Sequence, residues 1–311
     1  MRKLKIVLLA LCISVILLAG CQKPEPSTLR IAVLPILDTL PLYVAEAEGY
    51  FAAQGITVEL IPAASAAERD QLLQAGQIDG FITDLVALAL YNRDATQVVA
   101  VRYAMVPTAD FAQFRILAAA QSSITTVDDL RGVPIGVSEG TVIEYATHRL
   151  LEAEGLPADA IATLAVPKIP DRMALLGSGE LSAATLPEPL ASLAMQQGAV
   201  LIMDDTRHPE ISCSLYAFRK DVIDQQPQTT RAFLAAIDQA SAAINADKSR
   251  WSDLLAEKGL VPAPLTGAYI LPDYPANAVP TEAQFADAVA WLQATGQLTT
   301  APTYEDSVSG R

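Results

Sequence analysis

Residues 30–61 read RIAVLPILDTLPLYVAEAEGYFAAQGITVELI. Arg30 to Ile36 is a short apolar run bounded by polar residues, the pattern of a buried strand. Leu40 to Gln54 mixes apolar Leu42, Tyr43, Ala45 and Tyr50 with Glu46 and Glu48, and Gly55 stands where a helix cap belongs. Ile56 to Ile61 then alternates Ile56, Val58 and Leu60 against Thr57 and Glu59, the period of a half-buried strand. Strand, helix, strand is the unit of a parallel or mixed sheet covered on both faces, so this stretch sets the class as α/β.

The rhythm continues outward. A helix is predicted over Ala66–Ala75, ended by Gly76, then a strand over Ile78–Thr83, a helix over Leu85–Asn92 and a strand over Val98–Val106. A second unit repeats the plan. Strands are predicted at Phe114–Ala119, Pro134–Val137, Ile161–Val166, Leu181–Leu186 and Val200–Met203, with helices at Thr126–Leu130, Val142–Gly155, Asp171–Gly177 and Pro189–Gln197 between them. From Leu215 the character changes: a long alanine-rich helix is expected over Arg231–Leu255 and another over Thr281–Thr295. No period of about 20–50 residues recurs, which excludes a solenoid or propeller.

Composition narrows the function. The 311 residues carry 21 Lys+Arg against 35 Asp+Glu, a net charge of -14, with 51% apolar and 18% charged residues. That supports a large core in one large or two medium domains and excludes global disorder. The acidity argues against nucleic acid or an anionic lipid surface as the main partner, since both need a basic face. Three cysteines, Cys12, Cys21 and Cys213, are too few for a disulfide framework or an all-cysteine zinc site.

The N-terminus reads as an address. Arg2, Lys3 and Lys5 precede the apolar run Ile6–Leu18, which is too short for a membrane span of about 20 residues and suits a secretory signal. Leu18-Ala19-Gly20-Cys21 resembles the bacterial lipobox. Residues 1–20 are therefore expected to be a lipoprotein signal peptide, Cys21 the acylated site and a lipid anchor, and residues 21–28 a polar, proline-containing tether. The alternative is an uncleaved anchor with an incidental cysteine. Cleavage would remove three positive charges and no negative one, taking the net charge to -17.

Five segments, in order, resemble the nitrate/sulfonate/thiamine-precursor family of ABC-transporter substrate-binding proteins. They are Pro41-Leu42-Tyr43-Val44-Ala45 with Glu48-Gly49-Tyr50-Phe51, then Gly76-Gln77-Ile78-Asp79-Gly80, Asp129 to Val137, Glu188-Pro189 with Ala191, and Trp291 to Leu298. The resemblance implies a type II periplasmic-binding-protein fold: two α/β lobes, a ligand cleft and two crossover segments. Lobe 1 is then expected to be residues 29–110 plus 214–311 and lobe 2 residues 111–213, with crossings near Asp110–Phe114 and Cys213–Tyr216. The resemblance also implies the partners, a small-molecule ligand and an ABC permease in the membrane, and the location, lipid-anchored at the outer face of the cell membrane. No enzyme activity, cofactor or metal is expected.

In such sheets the ligand meets the carboxyl ends of strands and the following helix N-termini. The candidates there are Asp38, Thr39, Ser65, Thr83, Asp84, Ser138, Glu139, Gly140 and Thr141, with Tyr145 one turn inside a helix and Glu188 at the last turn. Asp38, Thr39, Thr83 and Asp84 equally suit helix capping. Gly140 permits close backbone approach. Asp38, Asp84, Glu139 and Glu188 include no cation to face an oxyanion, so an amine, an aminated heterocycle or a hydroxyl-rich ligand is expected rather than sulfonate or nitrate. Tyr43, Tyr103, Tyr145 and Tyr216 are candidates for a stacking face or for plain packing.

One motif argues differently. Gly136-Val137-Ser138-Glu139-Gly140 matches the G-x-S-x-G nucleophile elbow at a strand-to-helix turn, and Asp204 or Asp205 with His208 follows in triad order, so an α/β serine hydrolase using Ser138 is the alternative. No HGGG-type oxyanion segment accompanies it. A biosynthetic or sensor protein on the same fold is the other alternative, although the cysteine-rich motif of the thiamine-precursor synthesis branch is absent. His148 and His208 lack metal-ligand spacing, and no phosphate-binding G-x-x-x-x-G-K-(S/T) occurs.

Overall fold

A computed structural model describes residues 27–309, which excludes the expected signal peptide and Cys21. Two five-stranded mixed sheets organise the chain. The first contains β1 (Ser27–Val33), β2 (Ile56–Pro62), β3 (Gly80–Thr83), β4 (Val98–Met105) and β10 (Ser214–Arg219), in the order β2-β1-β3-β10-β4. The second contains β5 (Phe114–Ala118), β6 (Pro134–Val137), β7 (Ala162–Ala165), β8 (Ala183–Pro187) and β9 (Val200–Asp204), in the order β7-β6-β8-β5-β9.

The two sheets share one plan. In each, three neighbouring strands are parallel, as βα crossovers require. The fourth position holds an antiparallel strand, β10 in the first sheet and β5 in the second. Each of these is the first strand after the chain passes from one sheet to the other. The segments 106–113 and 205–213 make the two passages.

Local chemistry explains the register of the first sheet. Asp79 takes the backbone N–H of Arg30 at 2.9 Å and its guanidinium at 2.6 and 3.0 Å, while Asp79 donates its own N–H to the Arg30 carbonyl at 2.7 Å. This staples the turn before β3 onto β1. Gly80 follows because any Cβ there would sit 2.7 Å from the Phe218 ring and 2.9 Å from Ile31 Cδ1.

Three sequence readings change. The helix expected over Leu40–Gln54 is two, Leu40–Ala47 and Tyr50–Ala53, because Gly49 between them adopts φ 72°. The long helix runs Pro227–Ala246 and stops at extended Asp247, whose carboxylate caps the next turn through Ser249 N–H at 3.1 Å and Arg250 N–H at 3.3 Å. The crossing expected near Cys213–Tyr216 ends earlier, since Ser214 already pairs with Met105 in β10.

Two cores matter for the site. One packs the helices Leu40–Ala47 and Pro227–Ala246 on the first sheet around Phe51, Tyr216, Phe218 and Phe233. The other runs through both sheets, joining Phe81, Leu85 and Leu88 of the first to Ile116, Val137, Val142 and Leu150 of the second through Trp291 and Leu292. The helix Glu282–Ala294 supplies that bridge. Its Trp291 ring lies 5.6 Å from Tyr145 and 5.7 Å from His148, and its Asp287 takes Tyr145 Oη at 2.5 Å and the Arg149 guanidinium at 2.9 and 3.0 Å.

Candidate functional site

The sheets present the carboxyl ends of β1, β3, β6 and β8 to one another across a cavity of about 760 Å³, counting its open mouth. Both lobes and the outgoing passage line it. From the first lobe come Asp38, Ser65, Arg69, Thr83, Asp84 and, at the start of β10, Ser214; from the second, Ser138, Thr141 and Glu188; from the outgoing passage, Phe111 and Gln113. Leu37, Ile82, Met105, Phe114, Ile143 and Ile169 make much of the wall apolar.

Asp38 lies on a single 3-10 turn, Leu37–Thr39, between β1 and the first helix, and is buried. Thr39 holds the N-cap position of that helix, but neither side chain makes a capping hydrogen bond to it. Its carboxylate instead accepts the Ser214 hydroxyl, a short hydrogen bond, and Gln113 Nε2 at 3.3 Å. No cation pairs with it among the described residues, and burial pushes its carboxyl above the ordinary range. Tyr274 Oη fixes the turn by donating to the Leu37 carbonyl at 2.8 Å. Thr39 donates to the Ile36 carbonyl at 2.7 Å and is fully buried outside the lining.

The neighbouring polar groups do combine capping with facing the cavity. Ser65 accepts Glu68 N–H at 3.2 Å, Asp84 accepts Ala87 N–H at 2.9 Å and Thr141 accepts Ile143 N–H at 3.2 Å. Burial raises the Asp84 carboxyl, and the N–H of Ala87, the Arg69 charge and the N–H of Val142 oppose that rise. Thr83 Oγ1 is buried without a partner. Ser138 Oγ donates to the Pro167 carbonyl at 3.2 Å and accepts Arg172 Nη1 at 2.9 Å. Glu188 touches Arg115 Nε at 2.6 Å, too misaligned for a hydrogen bond, and accepts Tyr269 Oη at 3.3 Å.

Three candidates lie elsewhere besides Thr39. Glu139 is exposed and off the lining. The Gly140 N–H is taken by Glu144 at 2.8 Å. Tyr145 points away, into the contact with Asp287 and Trp291. Sequence reading passed over Gln113, Ser214, Arg69 and Arg172. Gln113 ends the outgoing passage and Ser214 opens β10, where only tertiary structure gives them a role. The arginines occupy helices, where a charged residue reads as solvated surface.

The G-x-S-x-G motif gathers no triad. His208 lies 3.7 Å from both Glu154 and Glu210, and Asp205 is buried against the passage, accepting Gln113 N–H at 2.9 Å and Phe114 N–H at 3.1 Å. Among the described residues no group of His, Cys, Asp and Glu is arranged to hold a metal ion, and no helix is long and apolar enough to cross a membrane.

A sequence profile of the NMT1-like family matches residues 22–257. The chain belongs to the NMT1-like family. Over 172 residues it is 27% identical to the "Putative aliphatic sulfonates-binding protein" of Escherichia coli (strain K12), a match covering 55% of this chain and 53% of that protein. The chain thus spans about half the length of this curated relative. In structure, this NMT1-like chain is similar to the alkanesulfonate-binding protein SsuA from Xanthomonas axonopodis pv. citri bound to MOPS. The TM-score is 0.76 at 18% identity, covering 92% of this chain and 99% of that one. It is also similar to the desulfurization enzyme DSZB, with TM-score 0.64 at 16% identity, covering 90% of this chain and 96% of that one. The type II periplasmic-binding-protein fold is thereby established, and both a binding protein and an enzyme are built on it.

Proposed function

We propose that this NMT1-like protein is an extracytoplasmic solute receptor of an ABC importer, tethered through an acylated Cys21, that captures a small organic amine between residues 29–110 with 214–311 on one side and 111–213 on the other. The curated relative's name supports the receptor role, and the cavity between two sheets supports a mechanism. A ligand touching both walls favours the arrangement in which the walls are close, and that form docks on the permease.

The observation that carries the ligand class is Asp38. It is a buried carboxylate on the cavity wall, held by a hydroxyl and an amide, with no cationic partner among the described residues. An ammonium or an aminated heterocycle seated beside it supplies the missing charge. A sulfonate or nitrate there would oppose ionisation of that carboxyl further and gain no counter-charge from it. Ser65, Thr83, Asp84, Ser138, Thr141 and Glu188 supply further polar contacts around an apolar body.

The receptor reading is favoured over hydrolysis because Ser138 is held by Arg172 and Pro167, with no histidine beside it. The test is native mass spectrometry of the chain purified from its own membrane. A co-purified small molecule carrying a basic nitrogen, lost in Asp38→Asn, is expected. A co-purified sulfonate retained in Asp38→Asn would overturn the ligand class.

A further inference from the structure

The two lobes contain a matched pair of arginines. Arg69 is the fourth residue of the helix Ala66–Gln74, which follows edge strand β2. Arg172 is the fourth residue of the helix Ile169–Ser178, which follows edge strand β7. Both side chains are turned inward and buried, with 4% and 0% of their surface exposed. Each guanidinium reaches the cavity end of its sheet, Arg69 Nη1 to the Ile82 carbonyl at 2.9 Å and Arg172 Nη1 to Ser138 Oγ at 2.9 Å and the Val166 carbonyl at 3.0 Å.

Their partners differ. Arg69 is followed by Asp70, which it meets at 2.8 Å, and its Nη2 also donates to Tyr91 Oη at 2.8 Å. Arg172 is followed by Met173 and faces no carboxylate among the described residues, so desolvation alone acts on it and lowers its pKa to about 10. Its Nε and Nη2 are buried and unpartnered. A buried, uncompensated guanidinium is costly unless a counter-charge arrives.

The first lobe's wall therefore carries a buried carboxyl without a cationic partner, Asp38, and an uncompensated cation, Arg172, lies directly behind Ser138 of the second lobe's wall. We infer that the ligand is a zwitterion, with its ammonium toward Asp38 and an oxyanion head, carboxylate or sulfonate, on the hydroxyl of Ser138. This rests on the amine reading above and extends it. Arg172 is a positioning residue. Its Nη1 occupies a lone pair of Ser138 Oγ, so the hydroxyl proton is left to donate, and its charge favours an anion as the acceptor in place of the Pro167 carbonyl at 3.2 Å. A ligand bridging both walls also gives closure its driving force, because each charge is satisfied only when the walls approach.

The test is calorimetric titration of the full chain with ω-amino carboxylates and ω-amino sulfonates of graded length, against n-alkylamines, alkanoates and alkanesulfonates of matched length. At one chain length or more, the zwitterion is expected to bind at least about tenfold more tightly than either singly charged analogue. The carboxylate and sulfonate arms identify the head. Arg172→Met keeps the side-chain volume and is expected to lower the zwitterion-to-amine affinity ratio by about tenfold or more; Ser138→Ala is expected to do the same by a route that leaves the buried charge in place. A loss of stability alone would leave that ratio unchanged. Alkylamines that bind as tightly as the zwitterions at every length, or a ratio untouched by both substitutions, would overturn the inference while leaving the amine reading intact. Binding of alkanoates or alkanesulfonates without any binding of amines or zwitterions would overturn both.

Discussion

Asp205 shows how a single buried group can report on the passages between the lobes. It sits where the returning passage begins and takes the N–H groups of Gln113 and Phe114, which lie at the end of the outgoing one. Burial raises its carboxyl to about 7. The folded state then holds this proton between the ordinary carboxylate range and about pH 7, whereas the unfolded chain releases it. Stability from this group is therefore greatest at low pH, falls as pH rises through that window and is flat above it. The expected result is that the melting temperature of the wild type relative to Asp205→Asn declines from pH 4 to about pH 7 and then levels off. A difference independent of pH would contradict the assignment. At this scale the sequence displays position but not partnership. Asp38 and Ser138 are recognisable because they stand where strands give way to helices. The bond from Ser214 to Asp38 joins residues 176 apart and follows only from the insertion of β10.

The elements read from periodicity are those whose pattern is complete within one βα unit, such as β1, β2 and the helix Val142–Ala153. β10 escapes because Leu215 to Phe218 is an apolar run with no helix of its own crossover before it, and its place between β3 and β4 is a tertiary fact. The helix Pro227–Ala246 earns its stability by packing: Phe233 stacks on Phe51 at 5.7 Å and meets Phe218 at 5.1 Å and Tyr216 at 5.9 Å. Phe233→Ala is expected to cost about 3–5 kcal/mol in urea unfolding. The helix Glu282–Ala294 contributes differently, through Asp287 between Tyr145 and Arg149. Asp287→Ala should cost only about 1–2 kcal/mol, because the ion pair with Arg149 is partly exposed and the part-buried hydrogen bond from Tyr145 carries most of the effect. A double-mutant cycle with Tyr145→Phe measures that bond, and additive costs would show that the two side chains do not interact.

Across the whole molecule, one flank of the cleft is already filled. The core that joins Phe81 and Leu88 to Val137, Val142 and Leu150 through Trp291 spans both sheets, and Asp38, Ser138 and Glu188 line the cavity between them. The acidic composition points in the same direction as the wall at Asp38, while Arg69 and Arg172 set the limit of any argument from charge counts, since both are invisible in a helix pattern. In the proposed receptor, Asp38 recognises a positive group held between the lobes. The most direct measurement is calorimetric titration of the wild type and Asp38→Asn with a series of n-alkylamines and of alkanesulfonates. Saturable binding of an amine that weakens at least about tenfold in Asp38→Asn is the predicted result; tight binding of a sulfonate, with amines inert and Asp38→Asn without effect, would contradict it.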